Sequence, residues 1–266
     1  MKIFEWMAEL RYRNKILYQV GLIHLILGCL LFIPLLLDAR HVMGINTWIK
    51  PIKFCISVGI YCWTFGWILF DLPNSVKWIK PMSWAVGVSM LLEIGIVIYQ
   101  ASRATRSHFN FDTNFDSLLF GLMGLLIAIN TIVVILAFIL YLFKKPNLDK
   151  GYLMAVRLGL AIFLLASWIG GKMISQKGHA VGVPDGGEGL PFVNWSTLGG
   201  DLRVGHFLGL HALQMIPLFA FLLYKKTSLS ANVRMLATIL FGLVYAGLVS
   251  YLYVQASNGT PFISVG

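Results

Sequence analysis

The chain has 266 residues, of which 58% are hydrophobic and 12% charged, and its mean hydropathy is +0.78. An ordinary soluble domain is nearer half apolar and a quarter charged, so a soluble globular enzyme, a disordered chain and a small secreted scaffold are excluded, and an integral membrane protein remains. The formal net charge of +10 would suggest nucleic acid in a soluble protein, but here Lys and Arg sit between apolar runs, which is a topology pattern and implies no nucleic-acid partner.

Residues 1–16 place Ile3, Phe4, Met7 and Leu10 on one side and Glu5, Glu9 and Arg13 elsewhere, as in an amphipathic helix lying on a membrane surface. Seven apolar runs follow, at residues 17–37, 54–70, 82–102, 117–143, 151–175, 204–224 and 233–256. Each is close to the roughly 20 residues that cross a bilayer, and none alternates as a barrel strand does. The predicted fold is an all-α integral membrane protein. A bundle of seven transmembrane helices covers residues 17–256, with a Gly-rich outer loop at 176–203 between helices five and six and an outer tail at 257–266. Trp48-Ile49-Lys50-Pro51 recurs as Trp78-Ile79-Lys80-Pro81, each copy just before a span. It reads as interfacial anchoring, with Trp at the headgroups, Lys snorkelling and Pro in the first helical turn. Cys29, Cys55 and Cys62 fall inside apolar runs and read as small buried residues. Twelve Lys and Arg on the N-terminal side of the membrane face eight on the other, which places the N-terminus in the cytoplasm and the C-terminus outside.

The outer loops carry most of the unusual residues, at 103–116 and 176–203, and ionisable side chains within the spans are costly enough to be functional candidates. In span three, Glu93 and Gln100 are seven residues apart on one helix face, and Arg103 closes the helix. In span six, Arg203, His206, His211 and Gln214 fall within an arc of about 140°. At 1.5 Å per residue, Gln100 and His206 lie roughly 4–5 Å below the outer surface and Glu93 and His211 roughly 12–15 Å below it. If spans three and six are neighbours, these groups line one polar site opening outward.

In that site Glu93, His211 and Arg203 are the catalytic candidates. His206, His211, His108 and His179 are candidate ligands for a metal ion (Zn, Cu or Fe), since neutral imidazole is the commonest metal ligand. Gln100, Arg103, Asp185, Trp195, Asp201 and Gln214 are candidate substrate contacts. A b-type haem would need axial histidines on two facing helices, and only His211 stands at a suitable depth. His24, Arg157 and Asn130 read as structural polar contacts between helices, and His41 as a solvated loop residue.

Three segments carry a resemblance: Ser107-His108-Phe109-Asn110; Asp185-Gly186-Gly187-Glu188-Gly189-Leu190-Pro191, preceded by His179; and Gly200-Asp201-Leu202-Arg203, continued by His206-Phe207, His211-Ala212-Leu213-Gln214. The chain resembles a group of bacterial polytopic membrane proteins with such segments, a resemblance that implies the fold and supplies no activity. A weaker likeness is to the seven-helix zinc hydrolases of the alkaline ceramidase and adiponectin-receptor type. The five-residue separation of His206 and His211 departs from the i, i+4 pair of that group.

Three functions fit. The first is a membrane enzyme with an outward-facing metal or redox site, acting on a small molecule, a lipid or a quinone. The second is a binding or transport protein for a small solute or protons, in which Glu93 and His211 change protonation. The third is an accessory subunit of a membrane complex.

Overall fold

The computed structural model describes residues 3–73, 76–144, 146–187 and 189–264. Glu188 of the Gly-rich segment lies outside the described residues. The chain is all-α, and seven of its helical stretches are long and apolar enough to cross a membrane: Lys15–Leu37, Ile49–Phe70, Ile79–Ser102, Asn114–Phe143, Lys150–Ser175, Leu202–Lys226 and Ala231–Ser257. Each apolar run of the sequence falls within one of them. The chain divides into two compact units, residues 1–133 and 134–266.

The first unit begins with α1 (Ile3–Arg13), which packs on α2 (Lys15–Leu30) and α4 (Ile49–Phe70). Asn14 separates α1 from α2 and caps α2 by accepting the Leu17 N–H at 3.1 Å. The first span is broken at Leu31 into α2 and α3 (Phe32–Leu37). Pro34 explains the break, because it has no N–H to give the Leu30 carbonyl and its ring crowds the preceding turn. A short hairpin, β1 (His41–Val42) and β2 (Ile45–Asn46), leads into α4. α5 (Ile79–Ser102) and the beginning of α6 (Asn114–Phe143) complete the unit.

Close helix approach in this unit rests on small residues. A Cβ at Gly59 would meet the Gly21 carbonyl of α2 at 3.1 Å, and one at Gly28 would meet the Cys55 Cβ of α4 at 3.2 Å. Asn130 of α6 accepts a hydrogen bond from the Tyr61 hydroxyl of α4 at 2.8 Å, a polar tie between spans of the kind its mid-span position suggests. His24 is wholly buried between the carbonyls of Val20 (2.7 Å) and Met90 (3.3 Å), a structural contact from α2 to α5. His41 is exposed beside the Ala39 carbonyl. Cys55 and Cys62 are buried as expected, whereas Cys29 is exposed on α2.

The second unit holds the rest of α6, α7 (Lys150–Ser175), α8 (Leu202–Lys226) and α9 (Ala231–Ser257). Asp149 caps α7 by accepting the Gly151 N–H at 2.9 Å and takes the Arg234 guanidinium at 2.6 Å, fastening the start of α7 to that of α9. Burial works against that carboxylate's charge, but the Arg234 pair and the capping N–H groups outweigh it and hold the Asp149 pKa below its ordinary value. Arg157 donates to the Tyr141 carbonyl at 2.9 Å, again a structural contact. The segment between α7 and α8 is tied down by β3 (Ala180–Val181) against β4 (Gly200–Asp201). A Cβ at Gly200 would run into the Ala256 carbonyl, so only glycine lets this ladder sit on the end of α9.

Candidate functional site

The residues expected to share one site fall in both units. Glu93, Gln100, Arg103 and His108 belong to the first, and His179, Asp185, Trp195, Asp201, Arg203, His206, His211 and Gln214 to the second.

In the first unit, the hairpin is bound to the end of α5. Arg40 donates to the Ser102 carbonyl at 3.0 Å, and the Thr47 hydroxyl to the Ala101 carbonyl at 3.0 Å. Asp38 takes Arg40 in a two-pronged pair and the Trp48 indole N–H at 2.9 Å. The Arg40 and Trp48 hydrogen bonds hold its carboxyl well below the usual carboxylate range. Below the hairpin, Gln100 and Arg103 are engaged by neighbouring side chains. Gln100 Nε2 donates to Asp116 Oδ1 at 2.9 Å, Arg103 Nη1 donates to Gln100 Oε1 at 2.7 Å and to Asp116 Oδ1 at 2.6 Å, and Thr113 donates to Asp116 Oδ2 at 2.7 Å. This closed network fastens the end of α5 to the start of α6. The Asp116 hydrogen bond holds the Arg103 guanidinium above its ordinary pKa.

Deeper in α5 the polarity is of another kind. Glu93 is 3% exposed, and its Oε2 atom is buried with no hydrogen-bond partner among the described residues. Lys50, in the first turn of α4, is near enough to act on it electrostatically. Lys50 Nζ in turn lies 3.2 Å from His108 Nδ1, and the Ser107 hydroxyl lies 3.0 Å from the same nitrogen. Phe54, Phe109 and Phe120 enclose the His108 ring. Phe109 takes a left-handed conformation (φ 52°), unusual for a bulky residue, and packs its ring on Phe120 at 5.2 Å. His108 and Lys50 are thus in contact, and Lys50 is within electrostatic range of Glu93, which stands deeper in α5.

The sequence reading missed Lys50, Ser107 and Asp116. Lys50 looked like an anchor because of the repeated tetrapeptide, but the two copies differ. Trp48 is 8% exposed and bonded to Asp38, whereas Trp78 is 60% exposed. Trp48 is therefore committed within the fold, which does not fit anchoring at the headgroups.

In the second unit, Asp185 gathers the turn after α7. Its Oδ2 accepts the backbone N–H of His179 at 2.8 Å and pairs with His179 Nδ1 at 2.9 Å, while Oδ1 accepts the Ala180 N–H at 2.7 Å. Burial alone would raise this carboxyl; the His179 hydrogen bond and charge, with the two backbone donors, prevail and hold it below the carboxylate range. The His179 carbonyl accepts the Leu202 N–H at 3.0 Å, which brings the pair to the start of α8. Asp201 and Arg203 satisfy each other: Asp201 caps α8, accepts the Ser196 N–H at 2.8 Å and takes Arg203 through Nε and Nη2. Trp195 packs edge-on against Phe207 and Phe262.

The two span-six histidines point their bonds to different places. His206 pairs through Nδ1 with the Ala166 carbonyl of α7 at 2.7 Å, and His211 through Nδ1 with the Phe207 carbonyl of its own helix at 2.8 Å. Gln214 Oε1 is buried without a partner among the described residues. No group of three His, Cys, Asp or Glu that could hold a metal ion occurs among the described residues, so metal binding by His108, His179, His206 and His211 finds no support in the geometry. His206 and His211 diverge by their five-residue spacing, which puts their side chains about 140° apart on α8. Comparison with protein-family models, curated proteins and solved structures yields no match.

Proposed function

We propose that the protein is a proton-binding membrane protein whose first unit accepts a proton at Glu93, through His108 and Lys50, from the extracytoplasmic side. The observation that carries this reading is the buried, unpartnered Glu93 Oε2 with a lysine near it. Burying an ionised carboxylate oxygen without a hydrogen-bond partner is costly, and protonation removes that charge. Intramembrane carboxyl and imidazole groups arranged in a line are the usual elements of proton relays. The direction is supported by the Lys and Arg distribution, whose excess on the N-terminal side favours a cytoplasmic N-terminus and an external 103–116 segment.

Infrared difference spectra across a pH titration, and proton uptake by proteoliposomes after a pH jump, test it. Glu93→Gln is expected to remove one carboxylic-acid C=O band and to slow uptake at least ~10-fold. An unchanged spectrum and unchanged uptake in that variant overturn the reading.

A second reading, the membrane enzyme on a lipid-like or quinone substrate, is favoured by the Asp185–His179 pair. A carboxylate that fixes an imidazole is how general bases are oriented, and the start of α8 brings the pair near His206. A bound metal ion or haem b belongs to this reading. Stoichiometric Zn, Cu or Fe, or a Soret band, lost in a His206→Ala and His211→Ala double variant would establish it.

A further inference from the structure

We propose that the groove between α1 and the foot of α2 is a binding site for an anionic phospholipid. The groove measures about 480 Å³ and is lined chiefly by Phe4, Met7, Arg11, Tyr12, Lys15 and Tyr18. Its α1 residues, Phe4, Met7, Arg11 and Tyr12, fall within an arc of about 140° at 100° per residue, so they form one face of that helix, and Lys15 and Tyr18 of α2 line the groove beside them.

The charges of this region are segregated. Arg13 is committed to the other side: it donates to Glu9 at 2.7 Å and to Asp71 at 2.8 Å, and its guanidinium lies 3.8 Å over the Trp67 ring. Arg11 and Lys15 make no ion pair among the described residues, and no carboxylate lines the groove. Two uncompensated cations thus share a groove with Phe4, which is exposed, and with Met7. Water suits the cations but not the exposed phenyl ring. A phospholipid suits both, with its phosphate between the guanidinium and the ammonium and its glycerol and upper acyl chain on Phe4 and Met7.

The depth agrees with this occupant. Lys15 is the first residue of a span that runs to Leu37, so the groove lies where headgroups lie, and Tyr12 and Tyr18 supply the aromatic residues typical of that level. The groove is also held in place. Asn14 is fixed by a 2.7 Å bond from Nδ2 to the Ser83 hydroxyl of α5, and a Cβ at Gly66 of α4 would already touch the Asn14 Cβ at 3.2 Å.

The test compares full-length protein in nanodiscs of phosphatidylcholine with and without phosphatidylglycerol, reading retained lipid by native mass spectrometry. Wild type is expected to prefer phosphatidylglycerol, and an Arg11→Gln, Lys15→Gln double variant to bind it about 30-fold more weakly at an unchanged melting temperature. A charge-matched Lys225→Gln, Lys226→Gln double variant is expected to behave as wild type. No preference in wild type, equal losses in both double variants, or retention by the Arg11 and Lys15 variant overturns the proposal. Displacement of the lipid by millimolar inorganic phosphate would mark a phosphate site without a lipid and overturn it also.

Discussion

Asp185 shows how one carboxylate can organise a segment. It binds three donors from His179 and Ala180, and because its folded pKa lies below its ordinary value of about 3.9, the unfolded chain binds the proton more readily. Its stabilisation is therefore complete above about pH 5 and is lost as the pH falls through the carboxylate range towards the folded value. Limited proteolysis of the 176–203 segment should show protection declining between about pH 5 and pH 3 in wild type. Asp185→Asn should be cut faster at pH 7 and show a flatter profile; an equally steep profile would assign the effect elsewhere. The partners six residues apart lie in one short stretch of sequence, so this pair was within reach of a sequence reading that had placed both residues in the site. Lys50 was not, because its meeting with His108 spans 58 positions and depends on how α4 and the 103–116 segment fold together. Arg103 and Arg203 are each ion-paired with a buried carboxylate, of Asp116 and Asp201.

Among the elements, the spans were legible because their signal is length and hydropathy, which tertiary context hardly alters. Their packing was not, because it depends on which small residues happen to face one another. In α8 the close contact is at Gly209, where a Cβ would come 2.7 Å from the Ala166 Cβ of α7. In α9, Gly247 has nothing within 4 Å of the same position. The two glycines look alike in sequence and should respond oppositely. Gly209→Ala must push α7 and α8 apart and is expected to destabilise by about 1–3 kcal/mol. Gly247→Ala gains helix propensity without a clash and is expected to be neutral or to stabilise by up to about 1 kcal/mol. Thermal unfolding of both variants in one detergent checks the pair, and a matching response would mean that the α7–α8 approach is not the constraint. Pro34 makes the break in the first span foreseeable on the same grounds of backbone chemistry, whereas hydropathy alone runs that span through it.

For the molecule as a whole, both the proposed proton route and the lipid groove take their sides of the membrane from charge counting. The twelve Lys and Arg on the N-terminal side against eight opposite give a modest bias, but it is reinforced by position. Lys225 and Lys226 close α8, and residues 258–266 after α9 contain no Lys or Arg. The α8–α9 connection should thus be cytoplasmic and the end of α9 external. Single cysteines test this without disturbing the fold. Cys55 and Cys62 are buried, so replacing only the exposed Cys29 by Ser leaves a quiet background. Ser228 and Asn258 are both exposed and lie outside the helices. A membrane-impermeant maleimide should label Asn258→Cys in intact cells and Ser228→Cys only after permeabilisation. The opposite pattern would turn the 103–116 segment to the cytoplasm, so that His108 would draw its proton from inside the cell and the Arg11–Lys15 groove would meet the outer leaflet.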